Sequence, residues 1–134
     1  MNRYQIFYEG NLRTKCVHLG NKKVIYTDAP KDNMGKGEEF SPTDLLAVSL
    51  ASCVLTIMGI QADKLGISLV GTTAQVEKEM TGTPRRIGKV KIVIEGPKIP
   101  EDAQKELEQA GHQCPVSKSL HPDLKQEITF LWVK

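Results

Sequence analysis

Charge is absent from Leu45 to Ala62, aromatic residues make up only 5% of the chain, and its three cysteines form no CxxC pair. Each absence excludes something. Without a CxxC pair, and with three histidines that keep no ligand spacing to Cys16, Cys53 and Cys114, the sequence offers no recognisable zinc site, so no metal is expected. The first residues, MNRYQIFYEG, lack the basic start, apolar centre and small-residue cleavage site of a signal peptide, and a cytoplasmic location is expected. In that reducing compartment thiols persist, and a disulfide is more often transient and redox-active than structural. A formal net charge of +2 gives no reason to expect nucleic acid or a membrane as a partner. No internal repeat or low-complexity tract is evident, and 134 residues suit a single domain, 1-134.

What is present reads as strands and helices in groups. Strands are expected over Tyr4 to Tyr8, Leu12 to Leu19 and Lys22 to Thr27. They are separated by Glu9-Gly10-Asn11 and Gly20-Asn21, where glycine and asparagine tolerate the positive φ of tight turns. From Asp28 to Phe40 the composition turns to Pro, Gly, Lys and acids, which predicts a mobile loop that could border a pocket. Ser41-Pro42-Thr43-Asp44 then announces a helix, with Ser41 as N-cap, Pro42 at the first helical position and Asp44 where a capping box puts its acid.

The helix that follows is apolar or small on nearly every face as far as Asp63, and burial all round is expected. A membrane span needs a similar run, but Ser49, Ser52, Thr56, Gly59 and Gln61 lower its hydrophobicity and strand patterns continue on both sides. One small domain can hardly cover such a helix alone, which predicts an intimate homodimer. Strands follow over Ile67 to Met80 and Arg86 to Glu95, joined by Thr81-Gly82-Thr83-Pro84, with Val90, Ile92 and Ile94 on one face of the second. A second helix, Pro100 to Gln113, carries a stripe of Ala103, Leu107 and Ala110 that Cys114 continues. A last strand alternates Ile128, Phe130 and Trp132 between Glu127 and Val133. Grouped strands and helices indicate an α+β fold with antiparallel sheets.

Free cysteine is often merely a small buried hydrophobe, and Cys16, on an expected edge strand, fits that description. Cys53 lies in Ala51-Ser52-Cys53, whose small side chains leave room for a molecule to approach its sulfur. Burial would disfavour its thiolate unless a cation or hydrogen-bond donors offset it; Arg13, Arg85, Arg86 and Lys118 are candidate cations, and spacing does not choose among them. Cys114 precedes Pro115, which would open a new helical turn, so its sulfur is expected to cap that turn and its pKa to be lowered. Two cysteines suit redox chemistry: a thiolate oxidised to a sulfenic acid is rescued by a second thiol that condenses with it.

Three features together resemble the OsmC/Ohr family of osmotically inducible and organic hydroperoxide resistance proteins. They are the Pro42-x-x-Leu45 helix start, Cys53 eight residues beyond that leucine, and Cys114-Pro115-Val116-Ser117-Lys118. The flanking text EKEMTGTPRRIGKVKIVIEG is similar as well, so the likeness covers nearly the whole chain. The resemblance implies an OsmC-like fold of two antiparallel sheets around two central helices, built as an intertwined homodimer. It implies a thiol-dependent peroxidase without metal, flavin or other cofactor. Cys53 would be the peroxidatic residue and Cys114 the resolving one, forming a Cys53–Cys114 disulfide, with Arg13 as the cation beside the thiolate. The implied substrate is an organic hydroperoxide, and the implied reductant a dithiol such as a lipoylated protein.

The family's better understood branches carry a glutamate directly after the helix-start proline, paired with an N-terminal arginine. Thr43 occupies that position here; Asp44 comes one place later, and Glu38 and Glu39 lie in the preceding loop. The departure supports a rival reading, a binding module that keeps the fold and a pocket for an apolar small ligand while using its thiols little.

Overall fold

The computed structural model describes residues 2–134, which divide into two compact units, Met1–Leu46 and Ala47–Lys134. The first is a three-stranded antiparallel meander in the order β1 (Tyr4–Gly10), β2 (Arg13–His18), β3 (Val24–Asp28). The β2–β3 register pairs Arg13 with Asp28 and Cys16 with Ile25. Cys16 therefore lies on the central strand, paired also with Ile6 of β1, and not on the edge strand expected.

The hairpin turn is where the sequence places it, but the positive φ falls on Lys22 (65°) instead of on Gly20 or Asn21. The His18 imidazole explains this: its Nδ1 accepts the N–H groups of Gly20 and Asn21, while the Asn21 side chain accepts the N–H of Lys23. Beyond β3 the expected loop is organised by its own backbone, with a 3-10 turn over Lys31–Asn33 and bonds from the N–H of Gly35 to Pro30 and of Gly37 to Ala29. Gly35 permits the closure, because a Cβ there would sit 1.8 Å from the Ala29 carbonyl oxygen.

Helix α1 (Pro42–Lys64) starts on the expected capping box. The N–H of Asp44 donates to Ser41 Oγ and the N–H of Ser41 to Asp44 Oδ2, each at 3.0 Å. The division between the units falls within this helix, just before Ala47. By length and composition α1 could cross a membrane, yet 33% of its most apolar window is buried inside the chain. The buried residues, Ala47, Leu50, Ala51, Val54, Met58 and Ala62, recur at helical spacing. The chain thus covers one face of α1, and burial all round is not achieved: Val48 and Ile60 remain 41% and 51% exposed.

In the second unit the chain leaves α1 through a turn at residues 65–72, so the strand expected from Ile67 begins only at Thr73. The N–H of Ile67 is still bonded to the Ala62 carbonyl, which ties this stretch to the helix end. Strands β4 (Thr73–Thr81) and β5 (Arg86–Gly96) pair antiparallel, and Val90, Ile92 and Ile94 of β5 are fully buried, as the alternation requires.

The last strand, β6 (Lys125–Trp132), pairs with β5 in parallel, with Ile92 opposite Ile128 and Gly96 opposite Trp132. This corrects the expectation of wholly antiparallel sheets. The cause is the connection, which passes through α2 (Glu101–Gly111) and α3 (Pro115–Ser119), a helical crossover of the kind that returns a chain in the same direction. Helix α2 meets α1 closely, since a Cβ on Gly111 would lie 3.2 Å from Val54 and 3.3 Å from Met58, and Gln61 of α1 donates to Glu106 at 2.8 Å. It is also tied to β6 by a 3.0 Å bond from the Trp132 indole to Glu108. Grouped strands, helices and a mixed second sheet give the α+β class read from the sequence.

Candidate active site

The two cysteines singled out by sequence are brought together in the second unit. Cys53 is half-buried on α1 and Cys114 is fully buried at the end of the Ala103, Leu107, Gly111 stripe of α2. Cys53 stands close enough to Cys114 to act on its thiol, and both are free thiols. This contact follows from local structure: the α1–α2 approach at Gly111 carries the following residues of the stripe toward α1.

Cys114 caps α3 as expected, with its sulfur accepting the N–H of Ser117 at 3.4 Å and Pro115 at the first helical position. The expected lowering of its pKa does not follow. Burial of the thiol and the hydrogen bond with Cys53 both push the pKa upward, and they outweigh the Ser117 and Val116 N–H groups that pull it down. Cys114 therefore keeps its proton at neutral pH.

The cap is held by Ser117, part of the motif quoted from the sequence, and by Gln126, which sequence reading did not single out. Ser117 Oγ donates to Gln126 Oε1, and Gln126 Nε2 returns a 3.2 Å bond to the Ser117 carbonyl, clasping α3 to β6. Around Cys53, Ala51 is buried and Ser52 exposed, and Thr56 Oγ1 donates to the Ser52 carbonyl at 2.8 Å. The leading influences on the Cys114 thiol include no cation. Lys118 lies in the last turn of α3, and Arg85 and Arg86 are exposed beside the β4–β5 turn.

Arg13 belongs to the first unit and carries a fork-shaped ion pair there. Its Nε and Nη2 donate to the two carboxylate oxygens of Asp28 at 2.7 and 2.8 Å, and Nη2 also reaches Glu38 at 3.3 Å. Asp28 is buried, yet its carboxyl is held down at about 2. The Arg13 hydrogen bond is the main cause, and the N–H groups of Glu38 and Glu39, each 3.1 Å from Oδ2, add to it against the opposing effect of burial. The arginine is correspondingly raised by Asp28.

Asp28 was not among the sequence-derived candidates, although the signal was available. Folding the chain back about Gly20-Asn21 places Arg13 directly opposite Asp28, as the observed register confirms. Of the acids considered for the Thr43 departure, Asp44 is engaged in its cap and Glu38 touches Arg13 from the loop.

Among curated proteins no match is found. The family described as OsmC-like protein matches residues 35–129. A candidate osmotic stress induced and detoxification response protein from Psychrobacter arcticus 273-4 is 48% identical, with a TM-score of 0.93 over 97% of this chain and 96% of that one. An organic hydroperoxide resistance protein, OsmC, from Legionella pneumophila is 16% identical, with a TM-score of 0.78 over 98% of this chain and 96% of that one. The organic hydroperoxide resistance protein OhrB of Bacillus subtilis is also 16% identical, with a TM-score of 0.69 and 97% of each chain covered. The last two establish likeness of fold. The family match over most of the sequence and the 48% identity over nearly all of it show that this chain belongs to the OsmC/Ohr family.

Proposed function

We propose that the chain is a thiol-dependent peroxidase that reduces organic hydroperoxides in the cytoplasm, working as a homodimer. The observation that carries the reading is the close approach of Cys53, half-buried, to Cys114, buried and protonated. The Cys53 thiolate attacks the peroxide O–O bond, forms an S–O bond and expels an alkoxide, which takes up a proton to leave as the alcohol. Cys114 then attacks the sulfenic sulfur; its proton leaves with the displaced hydroxide as water, and a Cys53–Cys114 disulfide remains. An external dithiol, such as a lipoylated protein, supplies two electrons and two protons to restore both thiols. No cofactor enters this sequence.

Supporting details fit each role. The half-buried cysteine is the one a substrate can reach, while the buried one keeps its proton until it is needed. The proposed disulfide requires Cα atoms within about 7 Å of each other. Arg13 is the cation that the family resemblance implies, and within the first unit Asp28 fixes its orientation. Exposed Val48 and Ile60 on α1, together with Ile6, Phe7 and Tyr8 on β1, are apolar surface that a second copy would cover.

Stopped-flow consumption of cumene hydroperoxide and hydrogen peroxide, with dihydrolipoamide as reductant, tests the reading. Cys53→Ser abolishes consumption, whereas Cys114→Ser allows a turnover and then inactivates. Absence of saturable, Cys53-dependent consumption by the wild-type protein would end the peroxidase reading.

One observation favours a second reading, a binding module for an apolar small ligand. A cavity of about 360 Å³ in the first unit is lined by Tyr4, Cys16, Val17, His18, Lys23 and Ile25, a size that admits a small molecule. Saturable uptake of an apolar fluorophore, lost in Ile25→Lys, combined with a Cys53 no more reactive than an ordinary thiol, would favour it.

A further inference from the structure

We infer that Gln126 is a positioning residue for the resolving cysteine: through Ser117 it aims a backbone N–H at the Cys114 sulfur, and it thereby governs disulfide formation more than attack on the peroxide. The inference rests on the peroxidase reading, in which Cys53 and Cys114 form a disulfide. Both cysteines, α3 and β6 lie within the second unit.

The pattern of β6 makes Gln126 unusual. Side chains alternate along the strand, and Gln126 falls in the half-buried row with Ile128, Phe130 and Trp132, while Lys125 and Glu127 are exposed. An amide at the head of an apolar row costs desolvation unless its polar atoms find partners. Both do, and on one residue: Ser117 Oγ donates to Oε1, and Nε2 donates to the Ser117 carbonyl at 3.2 Å. The amide is also well founded, because Gln126 is the register partner of Val90, a fully buried residue of the central strand β5.

Ser117 passes this hold to the sulfur. Its third polar group, the backbone N–H, meets Cys114 Sγ at 3.4 Å. Helix α3 has five residues, and its own bonds run from the Lys118 N–H to the Cys114 carbonyl at 3.1 Å and from Ser119 Oγ to the Pro115 carbonyl at 2.8 Å. Such bonds close the turn but do not fix how it is rotated against α1. A residue held at one point can pivot. Ser117, held through both hydroxyl and carbonyl, points its N–H in one direction.

That direction matters at one step. The Cys114 sulfur attacks the Cys53 sulfenic sulfur, the S–S bond forms as the S–O bond breaks, and the Cys114 proton leaves with the displaced hydroxide as water. Negative charge builds on Cys114 Sγ as its proton departs, and the Ser117 N–H is among the groups that favour charge there against burial. The earlier attack of Cys53 on the peroxide makes no such demand on Cys114.

The test follows a single turnover with stoichiometric cumene hydroperoxide by rapid quench and mass spectrometry, which separates loss of reduced Cys53 from appearance of the Cys53–Cys114 disulfide. Wild type is compared with Gln126→Met, Gln126→Glu, Ser117→Ala and the Ser117→Ala, Gln126→Met double variant, alongside thermal unfolding. Methionine keeps the length and loses both hydrogen bonds; glutamate keeps an acceptor for the Ser117 hydroxyl and loses the donor to its carbonyl. The expected result is disulfide formation slowed roughly 10- to 100-fold in Gln126→Met, the order of loss that a misplacement of about 1 Å brings, with the attack step slowed far less. Gln126→Glu falls between, and Ser117→Ala adds no loss in the Gln126→Met background, where the hydroxyl has no amide left to hold it.

A folded Gln126→Met protein whose disulfide forms within about tenfold of the wild-type rate overturns the inference and leaves the peroxidase reading standing. So does equal slowing of both steps, because Gln126 would then act on the fold. A double variant with the full additional loss of Ser117→Ala also overturns it, because Gln126 would then act by a route other than Ser117. Peroxide consumption without a Cys53–Cys114 disulfide overturns the inference and the resolving role of Cys114, but not the peroxidatic role of Cys53. A wild-type protein with no Cys53-dependent consumption overturns both readings. If Gln126→Met does not fold, Gln126→Glu decides: disulfide formation slowed more than the attack step supports the inference, and equal slowing or none overturns it.

Discussion

The arginine cluster of the first unit and the sulfur pair of the second are both buried polar centres fed by backbone N–H groups, yet they settle in opposite charge states. Asp28 is buried and ionised, whereas Cys114 is buried and neutral. Burial opposes charge in both. The carboxylate overcomes it because a guanidinium and two N–H groups converge on its oxygens. The thiol does not, since its N–H donors are opposed by burial and by a second sulfur in contact. Capping a helix is therefore not sufficient to make a thiolate: burial of the sulfur, with a second thiol beside it, outweighs the cap.

The largest way to disturb this comparison is to take burial away from the sulfur. Leu107→Ala removes a fully buried side chain one turn before Gly111 on the stripe that leads to Cys114, and should cost about 2–5 kcal/mol of stability. Denaturant unfolding measures that loss. Native-state alkylation followed by mass spectrometry should show Cys114 modified faster than in wild type, where burial is expected to make it react more slowly than Cys53. Equal rates for the two cysteines in the wild-type protein would contradict the neutral, buried Cys114 described above.

The next effect separates the centres by pH. A carboxyl held at about 2 contributes stability that is complete above its unfolded value, near 4, and is lost as pH falls from about 4 to about 2. A raised thiol works the other way: its contribution is complete below the unfolded value and is lost as pH rises through and beyond that value, near 8.5. Thermal melts across pH should show both flanks. Asp28→Asn should flatten the acid one and Cys114→Ser the alkaline one, each leaving the other in place.

Much of this was legible in the sequence where the cause is local. The Ser41 to Asp44 box, the inward face of β5 and the Pro115 cap each depend on residues a few positions apart, and each is found as read. The misreadings depend on distant neighbours. Whether β6 runs parallel is set by a crossover through two helices, and the state of Cys114 by its burial and by a sulfur on another helix. The covering of α1 is non-local as well, because composition shows how apolar a helix is but not how many of its faces one chain can reach. Asp28 is a different case. It closes a strand just before Ala29-Pro30 and so reads as the start of a loop, although the turn at Gly20-Asn21 already fixed its partner.

The smallest effect tests how firmly the sulfur centre is held from outside. Ser117 both donates its backbone N–H to Cys114 Sγ and exchanges hydrogen bonds with Gln126, so the cap and the clasp to β6 meet in one residue. Ser117→Ala keeps the backbone donor and deletes the hydroxyl. Gln126 Oε1 then loses its partner, and a loss of about 1 kcal/mol is expected from one part-buried hydrogen bond. If the backbone donor alone fixes α3, Cys114 alkylation stays at its wild-type rate while stability falls by this small amount. If the clasp fixes it, the cap loosens and alkylation accelerates. The second outcome is expected, because α3 spans only Pro115–Ser119 and a helix that short has little cohesion without an external tie. The arginine cluster has no counterpart to this weakness, since both its members are anchored in paired strands.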